Sequence, residues 1–389
     1  MSKEYVLNTY ARYDVNAVSG KGCLVYDEDG KEYLDFVSGV AVNCLGHCHP
    51  VVIKAIQEQC GKLMHVSNLY WNEKQMELAE KLCELGGFSG AFFCNSGTEA
   101  VEAAIKFARK YGKLKGGKTK NEIVYMKNSF HGRTLGALSV TGQEKYQKDF
   151  MPLVPGVKSI EFNNEAELEA VMDNNVCAVI IEPIQGEGGI IAAGEKFLEK
   201  AKALCEENNA LLIFDEVQCG IGRLGNLYAF ESFGTKPDMV CMAKGLGGGF
   251  PIGAVVAVGK VAECINFGDH GSTFGGNPLA CAVALAVLGE LLENNVLDNV
   301  KNMNTYFMYK LMGLKEKHPE IIGINGMGLL LGLQLSIDTK AFVNQCLAKG
   351  LLLVGAGKDV VRLLPPLNIE PEYLDKAADI IGSVLDNLA

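Results

Sequence analysis

The stretch VCAVIIEPIQGEGGIIAAGEKFLEKAKALCEENNALLIFDE, positions 176–216, decides the fold. It opens on an unbroken apolar run, VCAVII, that ends in the carboxylate of Glu182, and closes on a second run, LLIF, that ends in Asp215 and Glu216. Between them, EKFLEKAKALCEENNA (195–210) carries its apolar residues at helical spacing. Strands that are apolar along their whole length are covered on both faces. Two of them joined by an amphipathic helix make the crossover unit of an α/β sheet.

The alternation continues outward. GTEAVEAAIKFARKYG (97–112) has helical spacing, while EIVYM (122–126), MVCMAK (239–244) and IGAVVAV (252–258) read as strands. The sheet is therefore expected to be mainly parallel. From about Pro278 the pattern changes to two long helices, PLACAVALAVLGELLENN and LDNVKNMNTYFMYKLMGLKEK, followed by a smaller strand-and-helix set. That shift predicts a domain boundary, and no internal repeat intervenes.

Composition narrows the function. The chain has 389 residues, of which 48% are hydrophobic and 21% charged, as in ordinary globular proteins. A net charge of −10 argues against a general nucleic-acid binder, which needs a basic face. The basic stretch KFARKYGKLKGGKTK (106–120) reads as a solvated helix end and loop. The thirteen cysteines are scattered and never form C-x-x-C, which suits free thiols in a reducing cytoplasm rather than a disulfide framework. The opening MSKEYVLNTYARYDVNAVSG has no apolar core with a cleavage site, and no apolar stretch approaches a membrane span, so no export or membrane partner is expected.

Two motifs tempt. GKLKGGKT, Gly112 to Thr119, satisfies the P-loop pattern, and with LLIFDE as an acidic strand it leaves an ATPase as a distant alternative. A working P-loop leaves a strand and opens a helix, whereas this one closes a helix and precedes a strand. GHCHP (46–50) offers two histidines and a cysteine, yet no partner cluster accompanies them. A turn entering a helix is the expectation there, and no metal is.

More chemistry lies at the strand ends. In FFCNSGTEAVEAA (92–104) an apolar strand runs into Asn95, Ser96, Gly97 and Thr98 at a helix start. Free N–H groups and the helix dipole suit an anion there, and a plain Ser96 or Thr98 cap suits the same residues. Asp215 ends one buried strand, and Lys244, in VCMAKGLGGGFPIGAVV (240–256), ends another. Lysines seldom go under, and burial favours the neutral, nucleophilic amine. A carboxylate that keeps a pyridine nitrogen protonated and a lysine that condenses with an aldehyde are the minimum equipment for pyridoxal phosphate.

The blocks LLIFDEVQCGIGRLG, MAKGLGGGFPIGAV, NSGTEA, NSFHGRT, IIEPIQGEGG and HGSTFGGNP resemble, in order, the signature blocks of the class III (ornithine/acetylornithine-type) aminotransferases. The likeness runs from DGKEYLDFVSGVAVNCLGHCHP to VRLLPPL. It implies the fold type I architecture of pyridoxal-phosphate enzymes: a large α/β domain (56–277), and a smaller α/β domain (278–389) against which the N-terminal segment (1–55) packs. By resemblance, Lys244 would bind the cofactor's aldehyde and shuttle a proton, and Asp215 would pair with the ring nitrogen. Gln218 would lie near the ring's 3-oxygen, Phe130 would stack on the ring, and Gly97 and Thr98 would hold the phosphate with Ser96 close by. Thr273 would reach the phosphate of a neighbouring subunit, with Ser272 beside it at the substrate, which makes a homodimer with shared sites part of the expectation.

The same resemblance implies that Arg133 binds the carboxylate far from the reacting amine and Arg362 the α-carboxylate of glutamate, each bidentately. Glu187 would cover Arg362 while an amine with no neighbouring carboxylate reacts, then swing away. Both arginines also suit ordinary surface ion pairs. Ornithine enzymes carry a tyrosine, before the G-H-x-H-P turn, that meets the free α-amine. The residue here is taken as Val40, and an apolar side chain favours an acylated nitrogen. Tyr70 and Trp71 line the entrance or pack a core. The activity implied is transfer of the δ-amine of N-acetylornithine to 2-oxoglutarate. N-Succinylornithine, N-succinyl-diaminopimelate, free ornithine and 4-aminobutyrate are the alternatives.

Overall fold

In the computed structural model, which describes residues 5–388, seven strands build the main sheet: β1 (Gly90–Cys94), β2 (Glu122–Met126), β3 (Val157–Ile160), β4 (Val176–Ile181), β5 (Leu211–Asp215), β6 (Met239–Met242) and β7 (Gly253–Ala257). The first four residues, part of the opening read above as lacking an export signal, and residue 389 lie outside that range. The spatial order is β1-β7-β6-β5-β4-β2-β3. Every residue of β4, β5 and β6 is buried, as their unbroken apolar runs require.

One strand breaks the parallel pattern. β7 runs antiparallel to both β6 and β1. The link 243–252 carries only a short 3-10 turn, Lys244–Gly247, and is too short for a helical crossover. The helix expected over 195–210 stops at Glu207, because Asn209 takes a left-handed φ of 50° that asparagine tolerates.

The N-terminal strands Ala17–Lys21, Leu24–Asp27 and Glu32–Asp35 form a meander, and the last of them pairs in parallel with Leu351–Leu352. The chain's beginning is thereby joined to its C-terminal third. A separate antiparallel sheet contains Ile321–Met327, Leu330–Leu335, Val360–Leu363 and Val354–Ala356. The helix Pro278–Glu293, capped by the Asn277 side chain on the Ala280 N–H, packs on the helices Pro50–Cys60 and Glu73–Gly86. The helices Val296–Lys317 and Pro371–Leu388 pack on each other.

The turn after Asp35 is left-handed over four residues, with φ of 49°, 63°, 63° and 64° at Ser38, Gly39, Val40 and Ala41. That conformation costs roughly 1–2 kcal/mol for each residue other than glycine. Asp35 holds the turn. One of its oxygens accepts from Val37 and Ser38 N–H at 2.8 Å, and the other meets His47 Nε2 at 2.7 Å.

His47 thus serves the turn, Cys48 is exposed, and His49 precedes the helix that begins at Pro50. The P-loop look-alike falls on the carboxyl end of the helix α1 (Gly97–Gly116), the wrong pole for a phosphate. Among the described residues all thirteen cysteines are free, and no single helix is long and apolar enough to cross a membrane.

Candidate active site

A cavity of about 360 Å³ opens where the carboxyl ends of β4, β5 and β6 face the amino end of α1. Open α/β sheets place ligands in this crevice. Its wall includes Ser96, Gly97, Thr98, Phe130, His131, Arg133, Glu182, Asp215, Gln218 and Lys244. Eight of the residues singled out from the sequence therefore meet in one place.

Lys244 follows β6 by two positions and sits at a left-handed φ of 41°, a strained setting for a side-chain-bearing residue. No hydrogen bond or ion pair holds its amine among the described residues. Burial, and secondarily the Arg362 guanidinium, lower its pKa to about 8 against the opposing pull of Glu187, Asp215 and Glu182. The amine is poised to be neutral slightly above neutral pH.

Across the cavity, Asp215 Oδ2 meets His131 Nδ1 at 2.7 Å, and Oδ1 accepts from the Val217 N–H at 3.0 Å. An ionised carboxylate only accepts, so Nδ1 is assigned the hydrogen. His131 Nε2 is buried without a partner. Glu182 accepts from the N–H groups of Phe130 at 2.9 Å and Gly186 at 3.2 Å. Burial pushes its pKa up to about 7, with the His131 ring working downward and Asp215 upward. Glu216 points away, accepting from the Ala229 and Phe230 N–H groups at 2.6 and 2.8 Å, and burial lifts its pKa to about 8.

The amino end of α1 has the free donors of an anion cup. Ser96 Oγ accepts from the Glu99 N–H, while the N–H groups of Gly97 and Thr98 have no acceptor among the described residues. Thr98 Oγ1 is engaged by the Arg133 and Thr134 N–H groups at 3.1 and 3.3 Å, so this residue offers its backbone to a ligand. Close approach needs Gly132, at φ 139°, where a Cβ would collide with Thr98 Oγ1.

The Arg133 guanidinium lies 3.9 Å over the Tyr146 ring and pairs with no carboxylate among the described residues. Arg362 is buried and bound: Nη1 donates to Glu187 at 2.5 Å and to Gln218 Oε1 at 3.4 Å, and Nη2 donates to Gly355 O at 3.1 Å. Its Nε has no partner. Neither Arg362 nor Glu187 lines the cavity itself; they stand behind Gln218, which does.

One placement differs from the sequence reading. Val42, not Val40, is on the wall, because the left-handed turn directs Val40 against the core. Ser272 and Thr273 do not line the cavity of their own chain. Ser272 Oγ accepts from Asn95 Nδ2 at 3.1 Å, and Thr273 is exposed. Tyr70 and Trp71 are exposed too, which removes the core-packing alternative.

Sequence reasoning missed His131, Glu182 as a site residue, Tyr146 and Val42. His131 sits inside NSFHGRT and Glu182 ends the very strand that revealed the fold. Chain position flags both, but their pairing requires three dimensions. Nothing local marks Tyr146.

The family model of class III aminotransferases matches residues 6–385. Over 381 residues the chain is 58% identical to the acetylornithine aminotransferase of Clostridium acetobutylicum, covering 98% of each. It is 46% identical to the succinylornithine transaminase of Yersinia pseudotuberculosis, covering 95% of this chain and 92% of that one. A solved ornithine aminotransferase of Toxoplasma gondii, described as having partial occupancy of PLP at its active site, superposes with a TM-score of 0.94 at 34% identity over 99% of this chain and 93% of its own. With the cavity, the cup and the lysine placed as they are, this chain belongs to the class III aminotransferases.

Proposed function

We propose that the protein transfers the δ-amino group of N-acetylornithine to 2-oxoglutarate, giving N-acetylglutamate 5-semialdehyde and glutamate, a step of arginine biosynthesis. The observation that carries the reading is the unpartnered Lys244 amine, which lines the same cavity as Asp215 and the amino end of α1. These groups fit pyridoxal phosphate: a free amine for its aldehyde, an anion cup for its phosphate, and a buried carboxylate for its ring nitrogen. The bound cofactor would supply an electron-withdrawing ring that stabilises negative charge on the substrate carbon.

The chain's own groups do the rest. Lys244 Nζ takes and returns the proton at the carbon bearing the amino group, and a pKa of about 8 leaves it basic but partly neutral at physiological pH. Asp215, steadied by His131, would hold the ring-nitrogen proton. Phe130 would cover a ring face, Gln218 would meet the 3-oxygen, and the Gly97 and Thr98 N–H groups with Ser96 would hold the phosphate. Arg133, free of any carboxylate partner, takes the substrate carboxylate remote from the reaction. Glu187 covers Arg362 while N-acetylornithine reacts and releases it for the second carboxylate of 2-oxoglutarate.

We further propose a cytoplasmic homodimer in which Thr273 and Ser272 serve the partner's site, a reading supported by the exposure of Thr273 and by the absence of both residues from the wall of their own cavity. Leu69, Trp71, Phe267 and Phe274 are large apolar side chains left exposed on the folded chain, the kind of surface a second copy would cover. The division into an N-terminal segment (1–55), a large domain (56–277) and a small domain (278–389) belongs to the same proposal.

A second reading, an N-succinylated donor, is favoured by the Yersinia relative, and the apolar Val42 suits either acyl group. Single-turnover mixing of the holoenzyme with each amine separately decides. N-Acetylornithine should react fastest. Faster reaction of N-succinylornithine establishes the second reading, and faster reaction of free ornithine or 4-aminobutyrate overturns both.

A further inference from the structure

Glu182 touches neither arginine, yet it joins the two parts of the site that must move differently. Its Oε2 accepts from the Phe130 N–H at 2.9 Å, and its Oε1 from the Gly186 N–H at 3.2 Å. Gly186 immediately precedes Glu187 and packs on Gln218, whose amide a Cβ at this position would strike. Glu187 is anchored on its far side as well, its carbonyl accepting from the Gly357 N–H at 2.9 Å. The Glu187 side chain reaches Arg362 from a short turn held at both ends. One of those holds is the buried Glu182 carboxylate.

We infer that Glu182 is a positioning residue that sets how readily Glu187 leaves Arg362, and thereby the balance between the two substrates. The inference rests on the reading above, in which the amino donor needs the Glu187–Arg362 pair closed and the dicarboxylate needs it open. A ligand that binds only the open arrangement has an apparent affinity reduced by the fraction of molecules that are closed. At pH 8, above its raised pKa of about 7, Glu182 is a charged acceptor, and hydrogen bonds to a charged acceptor are stronger than neutral ones, so there the carboxylate tethers Gly186 more firmly than an amide does. In Glu182→Gln the single amide oxygen serves one N–H and the NH₂ faces the other. Whichever way the amide turns, the bond to Gly186 is weakened or lost. In Glu182→Asp the carboxylate retreats by one methylene from both donors.

The test uses glutarate, the dicarboxylate skeleton of 2-oxoglutarate without its reacting group, with binding to the holoenzyme measured by calorimetry at pH 8. Glu182→Gln and Glu182→Asp should each bind glutarate about tenfold more tightly than the wild type, the scale of one charge-assisted hydrogen bond. In single turnovers, the ratio of kcat/KM for glutamate to that for N-acetylornithine should rise by a similar factor. Glu187→Gln should tighten glutarate binding on its own, and adding Glu182→Gln to it should bring no further gain.

Unchanged or weaker glutarate binding in both Glu182 variants overturns the inference. So does an equal fall in both half-reactions, or full additivity with Glu187→Gln. Glutarate binding in the wild type that survives Arg362→Ala overturns the substrate reading itself. Binding that requires Arg362 but ignores Glu182 overturns the inference alone.

Discussion

At Lys244 the proposed chemistry depends on an amine with nothing to hold. Borohydride treatment of the holoenzyme should fix the mass of the cofactor on the peptide containing Lys244. Lys244→Ala should lose that mass and all detectable turnover while keeping its fold by circular dichroism; retention of the mass elsewhere would displace Lys244 from its role. The pH dependence has a definite sign. A lysine lowered to about 8 becomes neutral as pH rises through that value, more than two units below an ordinary lysine. In the cofactor-free protein, reductive methylation at Lys244 should rise with a midpoint near 8, against about 10.4 for surface lysines. Under the proposed function, substrate choice is tested at Val42. Val42→Asn, which adds a polar group at the wall, should raise kcat/KM for free ornithine relative to N-acetylornithine severalfold, and no change in that ratio would remove Val42 from the specificity argument.

Strand ends and a helix start make the site, and this is why so much of it is legible in the chain. VCAVII, LLIF and MVCM are buried on both faces, so their carboxyl ends had to converge at one edge, bringing Glu182, Asp215 and Lys244 together. The GTEAV start of α1 completes that edge. What the chain conceals is set by backbone conformation and by long-range pairing. Four left-handed residues turn Val40 inward and hand its place to Val42, and no local pattern announces such a run. The His131–Asp215 contact joins residues 84 apart. The direction of β7 follows from the length of a link rather than from the strand's own residues. Gly132 gives an element-level test, because its φ of 139° and its packing on Thr98 leave no space for a methyl group. We predict that Gly132→Ala destabilises the protein by about 2 kcal/mol, within the 1–3 kcal/mol typical of such strained backbone. It should also weaken cofactor binding at least tenfold; wild-type values of both would refute the close-approach argument.

Across the whole molecule, buried carboxylates shape the response to pH. Glu182 and Glu216, lifted by burial to about 7 and about 8, bind protons more tightly folded than unfolded. Between their ordinary carboxylate range and those values the native state holds the extra protons, so stability falls as pH rises through that window. The Tm of the cofactor-free protein should decline from pH 5 to pH 8, and Glu216→Gln should flatten part of the slope; an unchanged slope would mean that this group does not titrate there. Association is the other molecular property. Sedimentation should give twice the 41.9 kDa chain mass, and Phe267→Glu should return the protein to the single-chain value. The exposed apolar residues have one more consequence. The chain contains a single tryptophan, Trp71, and it is 85% exposed. Its indole emission is therefore an intrinsic optical gauge of assembly, red-shifted in water and blue-shifted when a second copy covers it. A dilution series in a fluorimeter can follow two chains parting without any label.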